Sequence, residues 1–180
     1  SNRLSLFKAI KSIKDIISQE KGNYIYVNVA SGSKIQAIAC MMACMVLKEC
    51  DNLQPFYAEP ESYAAFEGKQ QSFGIKDTIA LPTYGIHTPQ PKLLAALKIV
   101  SDQPNQKITK KEMARIAEEQ NIITINAEQE NHSQARFASL ESNIIAPLEK
   151  EWKFVEVEKI GKNRWIKITQ EGKDAAEFLI

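Results

Sequence analysis

The sequence predicts an α/β layer followed by a separate module of short helices that carries a β-hairpin. An almost wholly apolar, β-branched and aromatic run at residues 24–29 is followed by the small residues 31–33 and by an apolar segment at residues 35–50. Proline then punctuates the chain between residues 82 and 91. Beyond it, short amphipathic patterns lead to two β-rich runs around a turn at residues 161–163. These observations define a fold class with two parts.

Length, composition and charge limit the possible classes of protein. A chain of 180 residues with 44% hydrophobic residues can form one medium domain or two small ones with ordered cores. Its formal net charge of +1 means that any contact with DNA must rest on local basic patches. No apolar run reaches the roughly 18 to 20 residues of a membrane span, and no signal peptide is visible. We therefore expect a cytoplasmic protein without a membrane partner.

The three cysteines, Cys40, Cys44 and Cys50, lie on or beside one apolar helix. The spacing of Cys40 and Cys44 would allow the two thiols to share a metal ion, but no second pair of Cys or His completes such a site. We therefore expect the cysteines to be small core residues in a reducing compartment, and we expect no metal.

The segment from residue 24 to residue 50 predicts a strand, a tight turn and a helix. The apolar run at 24–29 is typical of a strand buried on both faces by helices. The turn then places free backbone N–H groups and the positive end of a helix at the edge of the sheet, where Ser31, Ser33 and Lys34 add two hydroxyls and a cation. This chemistry suits a phosphate or another anion. The alternative is a tight turn in which Ser33 is only the N-cap of the helix.

The sequence of residues 28–35, Asn-Val-Ala-Ser-Gly-Ser-Lys-Ile, resembles the Asn-x-[Ser/Thr]-[Gly/Ser]-Gly-[Thr/Ser]-Lys signature of CRISPR-associated Rossmann-fold (CARF) domains. It is most similar to the archaeal branch in which such a domain is fused to a winged helix-turn-helix. Ala30 departs from the Ser, Thr or Gly that is usual there. The resemblance implies a homodimer with a pocket for a cyclic oligoadenylate effector, lined by Asn28, Ser31, Gly32, Ser33 and Lys34.

The first 88 residues are expected to form a partial Rossmann-like layer. A helix over residues 4–18 precedes the first strand, and CARF-like proteins carry an earlier βαβ portion, so we expect the layer to be truncated at its N-terminus. Short strands are predicted at residues 53–58 and 79–81, with an exposed loop over residues 59–77 between them. Tyr57 and Tyr63 offer rings on which a nucleobase would stack, or are half-buried tyrosines of the fold. The prolines at 82, 89 and 91 place the domain boundary between residues 88 and 89.

Residues 89–180 begin with three predicted helices. Thr109 and Glu112 have the spacing of a capping box at the start of the second helix. The third helix, roughly residues 133–148, buries Phe137, Leu140, Ile144 and Leu148. Its opposite face on a helical wheel is small and polar, as is typical of a helix that lies in a major groove. A merely solvated face has a similar composition. The residues of this face are Ala135, Arg136, Ser139, Ser142 and Asn143.

Three helices, a basic hairpin and a last helix resemble a winged helix-turn-helix. The resemblance implies that Arg136, Ser139 and Asn143 face bases and that Lys162, Asn163 and Arg164 contact the backbone of double-stranded DNA. Residues 91–180 carry 14 Lys and Arg against 14 Asp and Glu, which favours a modest, salt-sensitive DNA binder. A winged helix that binds protein or dimerises is the alternative.

Taken together, these patterns predict a non-enzymatic, ligand-responsive transcriptional regulator. No catalytic triad, paired carboxylates or metal set has a recognisable spacing. Two alternatives stay open. The first is a ring nuclease, in which Ser31 and Lys34 would stabilise the charge that develops during cleavage of the cyclic ligand. The second is a dimerising scaffold that binds neither DNA nor nucleotide.

Overall fold

The computed structural model describes residues 6–20, 22–48, 52–63, 72–125 and 131–180. The chain divides into two compact units, Ser1–Thr88 and Pro89–Ile180. Within the described ranges, no helix is both long enough and apolar enough to cross a membrane.

The described residues of the N-terminal unit form two helices, a three-stranded sheet and a small ribbon. The sheet has the order β1-β2-β5, in which β1 pairs parallel with β2 and β5 pairs antiparallel with β2. The two parallel strands are joined through a helix, as their geometry requires. The elements are α1 (Leu6–Gln19), β1 (Ile25–Asn28), α2 (Lys34–Val46), β2 (Leu53–Glu59), β3 (Ser62–Tyr63), β4 (Ser72–Phe73) and β5 (Asp77–Ala80).

Helices α1 and α2 pack against each other through small and branched side chains. Ile10 and Ile17 of α1 are buried, and so are Ala39, Ala43 and Cys44 of α2. Burial raises the pKa of the Cys44 thiol to about 12, so this side chain stays a neutral thiol at physiological pH. Cys44 is therefore a core residue as predicted, whereas Cys50 lies outside the described residues.

The prediction that the first strand is buried on both faces is wrong. Ile25 and Val27 are half-buried, but Tyr24 and Tyr26 are 77% and 68% exposed. Strand side chains alternate between two faces, and an aromatic run contains no information on whether the second face is covered. On the open face a groove of about 340 Å³ is lined by Tyr26, Gln54, Phe56, Thr78 and Ala80. The strand predicted at residues 79–81 is present as β5, and the loop predicted over residues 59–77 contains the ribbon β3–β4.

In its described residues, the C-terminal unit contains four α-helices, a short 3-10 helix at Pro104–Gln106 and a three-stranded antiparallel sheet. The sheet has the order β6-β8-β7. The short strand β6 was not predicted, because three residues are too few to show a period of two. The elements are α3 (Pro91–Ser101), β6 (Lys107–Thr109), α4 (Lys110–Glu119), α5 (His132–Leu140), β7 (Val155–Ile160), β8 (Asn163–Ile168) and α6 (Gln170–Leu179).

Helix α5 continues in wider π-type turns over Glu141–Ile145 and Pro147–Glu151. The N–H groups of Ala146 and Trp152 donate to carbonyl groups five residues earlier, beside a proline that has no N–H to offer. At the start of α4 only half of the predicted capping box forms. Thr109 Oγ1 accepts the N–H of Glu112 (3.1 Å), but the Glu112 carboxylate accepts from Arg115 instead.

All three helices α3, α4 and α5 and all three strands bury apolar side chains in one core. Helix α6 closes this core at Ala175 and at a very close approach of its first turn to the chain before β7. A Cβ placed on Gly172 would lie 2.1 Å from the carbonyl oxygen of Phe154 and 2.8 Å from Ile168 Cγ1. The largest buried side chains of the core are Leu97, Met113, Leu140, Ile144, Ile145, Leu148 and Ile166.

We expect Gly172→Ala to destabilise the C-terminal unit by about 3 kcal/mol, because a backbone carbonyl cannot yield to the added methyl group as a flexible side chain can. Both tryptophans of the chain, Trp152 and Trp165, lie in this unit, so their fluorescence in a urea titration reports its unfolding alone. Lys173→Ala changes an exposed neighbour on the same helix and is the matched control. Equal unfolding midpoints for Gly172→Ala and the wild type would contradict this account of the contact.

Candidate functional site

The loop between β1 and α2 is held by its own side chains. Asn28 Oδ1 accepts the N–H of Ala30 (2.8 Å), and Gly32 turns the chain with φ +91°. Ser33 Oγ then accepts the N–H of Gln36 (3.3 Å), while Gln36 Oε1 accepts the N–H of Ser33 (2.8 Å). This reciprocal pair is a capping box. The structure therefore gives Asn28, Gly32 and Ser33 roles in forming the turn, as the alternative interpretation of Ser33 anticipated.

Two members of the predicted ligand set keep their side chains available. Ser31 and Lys34 are exposed, and neither has a hydrogen bond or an ion pair with the part of the chain that the structure describes. Gln36 lies against Gly32, where a Cβ would come within 2.7 Å of its Oε1. The loop thus presents one cation and one hydroxyl beside the N-terminus of a helix, where unpaired N–H groups favour an anion.

The two tyrosines that the sequence singled out lie close together. The hydroxyl oxygens of Tyr57 and Tyr63 are 3.3 Å apart, and this hydrogen bond is the main cause of a raised pKa for Tyr63. Tyr57 is half-buried on β2, and the ring of Tyr63 is 68% exposed. Stacking on a nucleobase stays a prediction for Tyr63, while Tyr57 also has a place in the sheet.

Of the predicted base-contacting residues of α5, two are turned towards neighbouring elements. Arg136 Nη1 donates to Glu118 Oε2 of α4 (3.1 Å), and the Arg136 side chain is only 22% exposed. Ser139 Oγ donates to the carbonyl oxygen of Thr124 (3.2 Å) and accepts from Asn143 Nδ2 (3.2 Å). Asn143 itself is exposed. In this structure the three side chains therefore bond within the protein.

The exposed face of α5, here called the outward stripe, is rotated about the helix axis relative to the polar face that the helical wheel assigns. A helical wheel whose inward face is defined by the apolar residues assigns every polar residue to the outside. In the structure, the core covers one face of α5, and polar contacts with α4 and with the segment after α4 cover a second face. The sequence did not predict this second covered face because its contacts are made by two polar residues, Arg136 and Ser139. Gln134 was missed with it, although its exposure and amide are features of a base-contacting residue. The exposed residues of α5 and its first π-type turn are Ser133, Gln134, Ala138, Ser142 and Asn143.

The hairpin β7–β8, here called the wing, differs between its base and its tip in how its cations are paired. At its base, Lys167 Nζ lies 3.0 Å from Glu156 Oε1 and 3.6 Å from Glu158 Oε1, and these carboxylates raise the pKa of Lys167. At the tip, residues 159–164, the cations have no carboxylate partner among the described residues. Lys159 and Arg164 are directly opposite each other across the two strands.

The wing tip therefore carries a cluster of positive charges. Lys159, Lys162 and Arg164 are all exposed and form no ion pair with any described residue. Gly161, with φ +62°, allows the two-residue turn that brings them together. Like charges directly across an antiparallel pair are unfavourable. An anion at the tip would relieve this repulsion. Lys159 was not among the predicted site residues, although the hairpin register makes it the partner of Arg164.

No metal-binding cluster accompanies these surfaces in the ranges that the structure covers. Within them, no three of the His, Cys, Asp and Glu side chains lie close enough together to hold a metal ion.

The comparisons with known proteins divide the chain at a similar place. Residues 1–63 match the family described as HFX_2341_N-like, N-terminal, and residues 92–180 match the family described as the DUF6293 C-terminal winged helix domain. The uncharacterized protein MJ1513 of Methanocaldococcus jannaschii is 27% identical over 135 residues, which cover 62% of this chain. The match covers 40% of that relative, so this chain spans less than half of its length. The helices, the wing and the family match together identify residues 92–180 as a winged helix domain.

Proposed function

We propose that this chain is a DNA-binding transcriptional regulator whose N-terminal unit responds to a nucleotide ligand. The observation that supports DNA binding best is the unpaired, exposed cation cluster at the wing tip of a winged helix domain. Lys159, Lys162 and Arg164 carry like charges that repel one another, and a phosphate backbone would bring negative charge to them. The wing base, in which Lys167 is neutralised, contributes little to such a contact.

The outward stripe of α5 supports the same function. Its side chains are small or polar and carry no charge, which allows close approach to base edges without fixing the helix to phosphates. This stripe contains Asn143, which was predicted to face bases, and Gln134, which was not. Arg136 and Ser139, which were predicted to face bases, would first have to leave Glu118 and Thr124. With balanced charge over residues 91–180, binding is proposed to be modest and salt-sensitive.

We expect Arg164→Gln to weaken binding to duplex DNA about tenfold at low salt, because a phosphate contact and its counterion release are lost. The slope of the logarithm of the binding constant against the logarithm of the salt concentration should fall in magnitude by about 0.9. Fluorescence anisotropy with labelled upstream DNA measures both quantities. A double charge reversal, Lys162→Glu with Arg164→Glu, should abolish the shift of the same DNA in a gel.

Lys167→Gln is the matched control for Arg164→Gln, because it removes the same charge from the same strand at a lysine that is already paired. It should change DNA affinity less than about twofold. Equal affinities for the wild type and the double charge reversal at low salt would overturn the proposed DNA contact. A winged helix used only for protein contacts would give that result.

For the N-terminal unit we propose a negatively charged nucleotide as the ligand, with the cyclic oligoadenylates implied by the CARF resemblance as the class to test. The free side chains of Ser31 and Lys34 beside the start of α2 support an anion there. Asn28, Gly32 and Ser33 would hold the loop in shape and offer backbone groups. Tyr63 would add a stacking surface. The proposed regulator acts as a homodimer and binds its ligand without cleaving it.

We expect Lys34→Ala to weaken binding of a cyclic oligoadenylate about tenfold or more in titration calorimetry, because a charge-assisted hydrogen bond to phosphate is lost. Lys48→Ala removes an equal charge near the other end of the same helix and should leave the affinity unchanged. If titration released heat with neither the wild type nor the variant, a scaffold would be favoured over a ligand sensor. Chromatography of the ligand after the titration tests cleavage, and a linear product would show a ring nuclease instead.

A further inference from the structure

One carboxylate of α4 binds two successive turns of α5. Glu118 Oε1 lies 3.0 Å from His132 Nε2, and Glu118 Oε2 accepts from Arg136 Nη1 at 3.1 Å. His132 and Arg136 are four residues apart on α5, so both side chains lie on the face that meets α4. The Glu118 side chain is only 31% exposed, which leaves this contact less screened by water than an ordinary surface ion pair. Glu118 therefore restrains the helix that carries the proposed base-contacting stripe.

Most hydrogen-bond donors of the Arg136 guanidinium group have no acceptor among the described residues. A guanidinium has five N–H donors in a planar fork, and the hydrogen bond from Arg136 to Glu118 occupies one of them. Its Nε is buried and has no acceptor there. The guanidinium carbon also lies 5.8 Å from the centre of the Phe137 ring. A phosphate or a guanine edge would take two of these donors together, so Arg136 has a favourable alternative partner outside the protein.

We propose that Glu118 acts as an electrostatic clamp that keeps Arg136 off DNA and thereby restrains non-specific binding by the winged helix. The inference rests on the proposed DNA-binding function and deepens it. With the clamp closed, α5 presents an uncharged stripe, and Arg136 adds nothing to the attraction that the wing tip exerts on arbitrary DNA. With the clamp open, Arg136 adds one more phosphate or base contact next to that stripe. Glu118 is thus a positioning residue, which acts on DNA through Arg136.

The clamp is tested with Glu118→Gln, which keeps the size of the side chain and removes its charge. Anisotropy with a mixed-sequence duplex should show binding about tenfold tighter than wild type at about 50 mM salt, with a slope steeper by about 0.9. Glu119→Gln is the matched control. It makes the same change in net charge one residue away, at a carboxylate that pairs with Arg115, so it should alter binding less than about twofold. Tryptophan fluorescence in urea checks that each variant folds.

Arg136→Gln completes the test. Made alone, it should change non-specific affinity less than about twofold, because the clamped arginine does not touch DNA. Added to Glu118→Gln, it should remove the gain in affinity and restore the wild-type salt slope. A gain that persists in the double variant would mean that the lost carboxylate, and not the freed arginine, causes it, and would overturn the proposal.

A loss of affinity with Arg136→Gln alone would also overturn the clamp, since Arg136 would then contact DNA while bound to Glu118. That result would instead support the earlier prediction that Arg136 faces bases. These failures differ from failure of the proposed function, in which the wild type, Glu118→Gln and the wing variants would all bind DNA equally poorly. Wild-type binding that depends on Arg164 but does not respond to Glu118→Gln would refute the clamp alone.

Discussion

The C-terminal unit depends on the double pairing of its central strand. β8 bonds to β6 on one side and to β7 on the other, and this register decides where each of its side chains lies. Ile166 and Ile168 point into the core, while Lys167, between them, faces outward to the carboxylates of β7. A slip of one residue would reverse all of these positions. The same register sets Arg164 opposite Lys159 at the tip, so the apolar core fixes the position of a charge cluster that makes no contact with it.

Several cations of the unit are paired with carboxylates of neighbouring turns or elements, whereas the cations of the wing tip pair with no described residue. Arg115 bonds to both Glu112 and Glu119 along α4, and Lys110 pairs with Glu141 across two elements. Glu118 extends this pattern to α5. The wing tip departs from it, although a carboxylate at one of its positions would have been easy to accommodate on so exposed a turn. In a domain without net charge, a local group of unpaired cations such as the wing tip attracts polyanions to that place, whereas general basicity would attract them to the whole surface.

Sequence patterns predicted the parts of this fold that depend on local period and punctuation. The helices and the hairpin follow from apolar spacing, Gly161 and the β-branched runs beside it, whereas the turn expected at residues 161–163 is formed by Gly161 and Lys162, with Asn163 in β8. The open face of β1, the strand β6 and the phase of α5 could not be predicted in this way, because each depends on what lies across from the segment. Arg136 illustrates the limit. Its polarity predicts exposure, but a glutamate 18 residues earlier in the chain turns it inward.

The loop between β1 and α2 shows why a site is harder to predict than the turn that carries it. Asn28, Gly32 and Ser33 suit both an anion-binding loop and a tightly capped helix, and the structure shows them forming the cap. These two roles are compatible, because a cap that uses side chains to hold the turn leaves other backbone N–H groups pointing outward at the helix start. What distinguishes a binding loop from a mere turn is therefore the residue with no structural task. In this loop neither the Ser31 nor the Lys34 side chain bonds to any described residue, and the charge of Lys34 does nothing for the cap and sits at the end of a helix dipole that disfavours a cation.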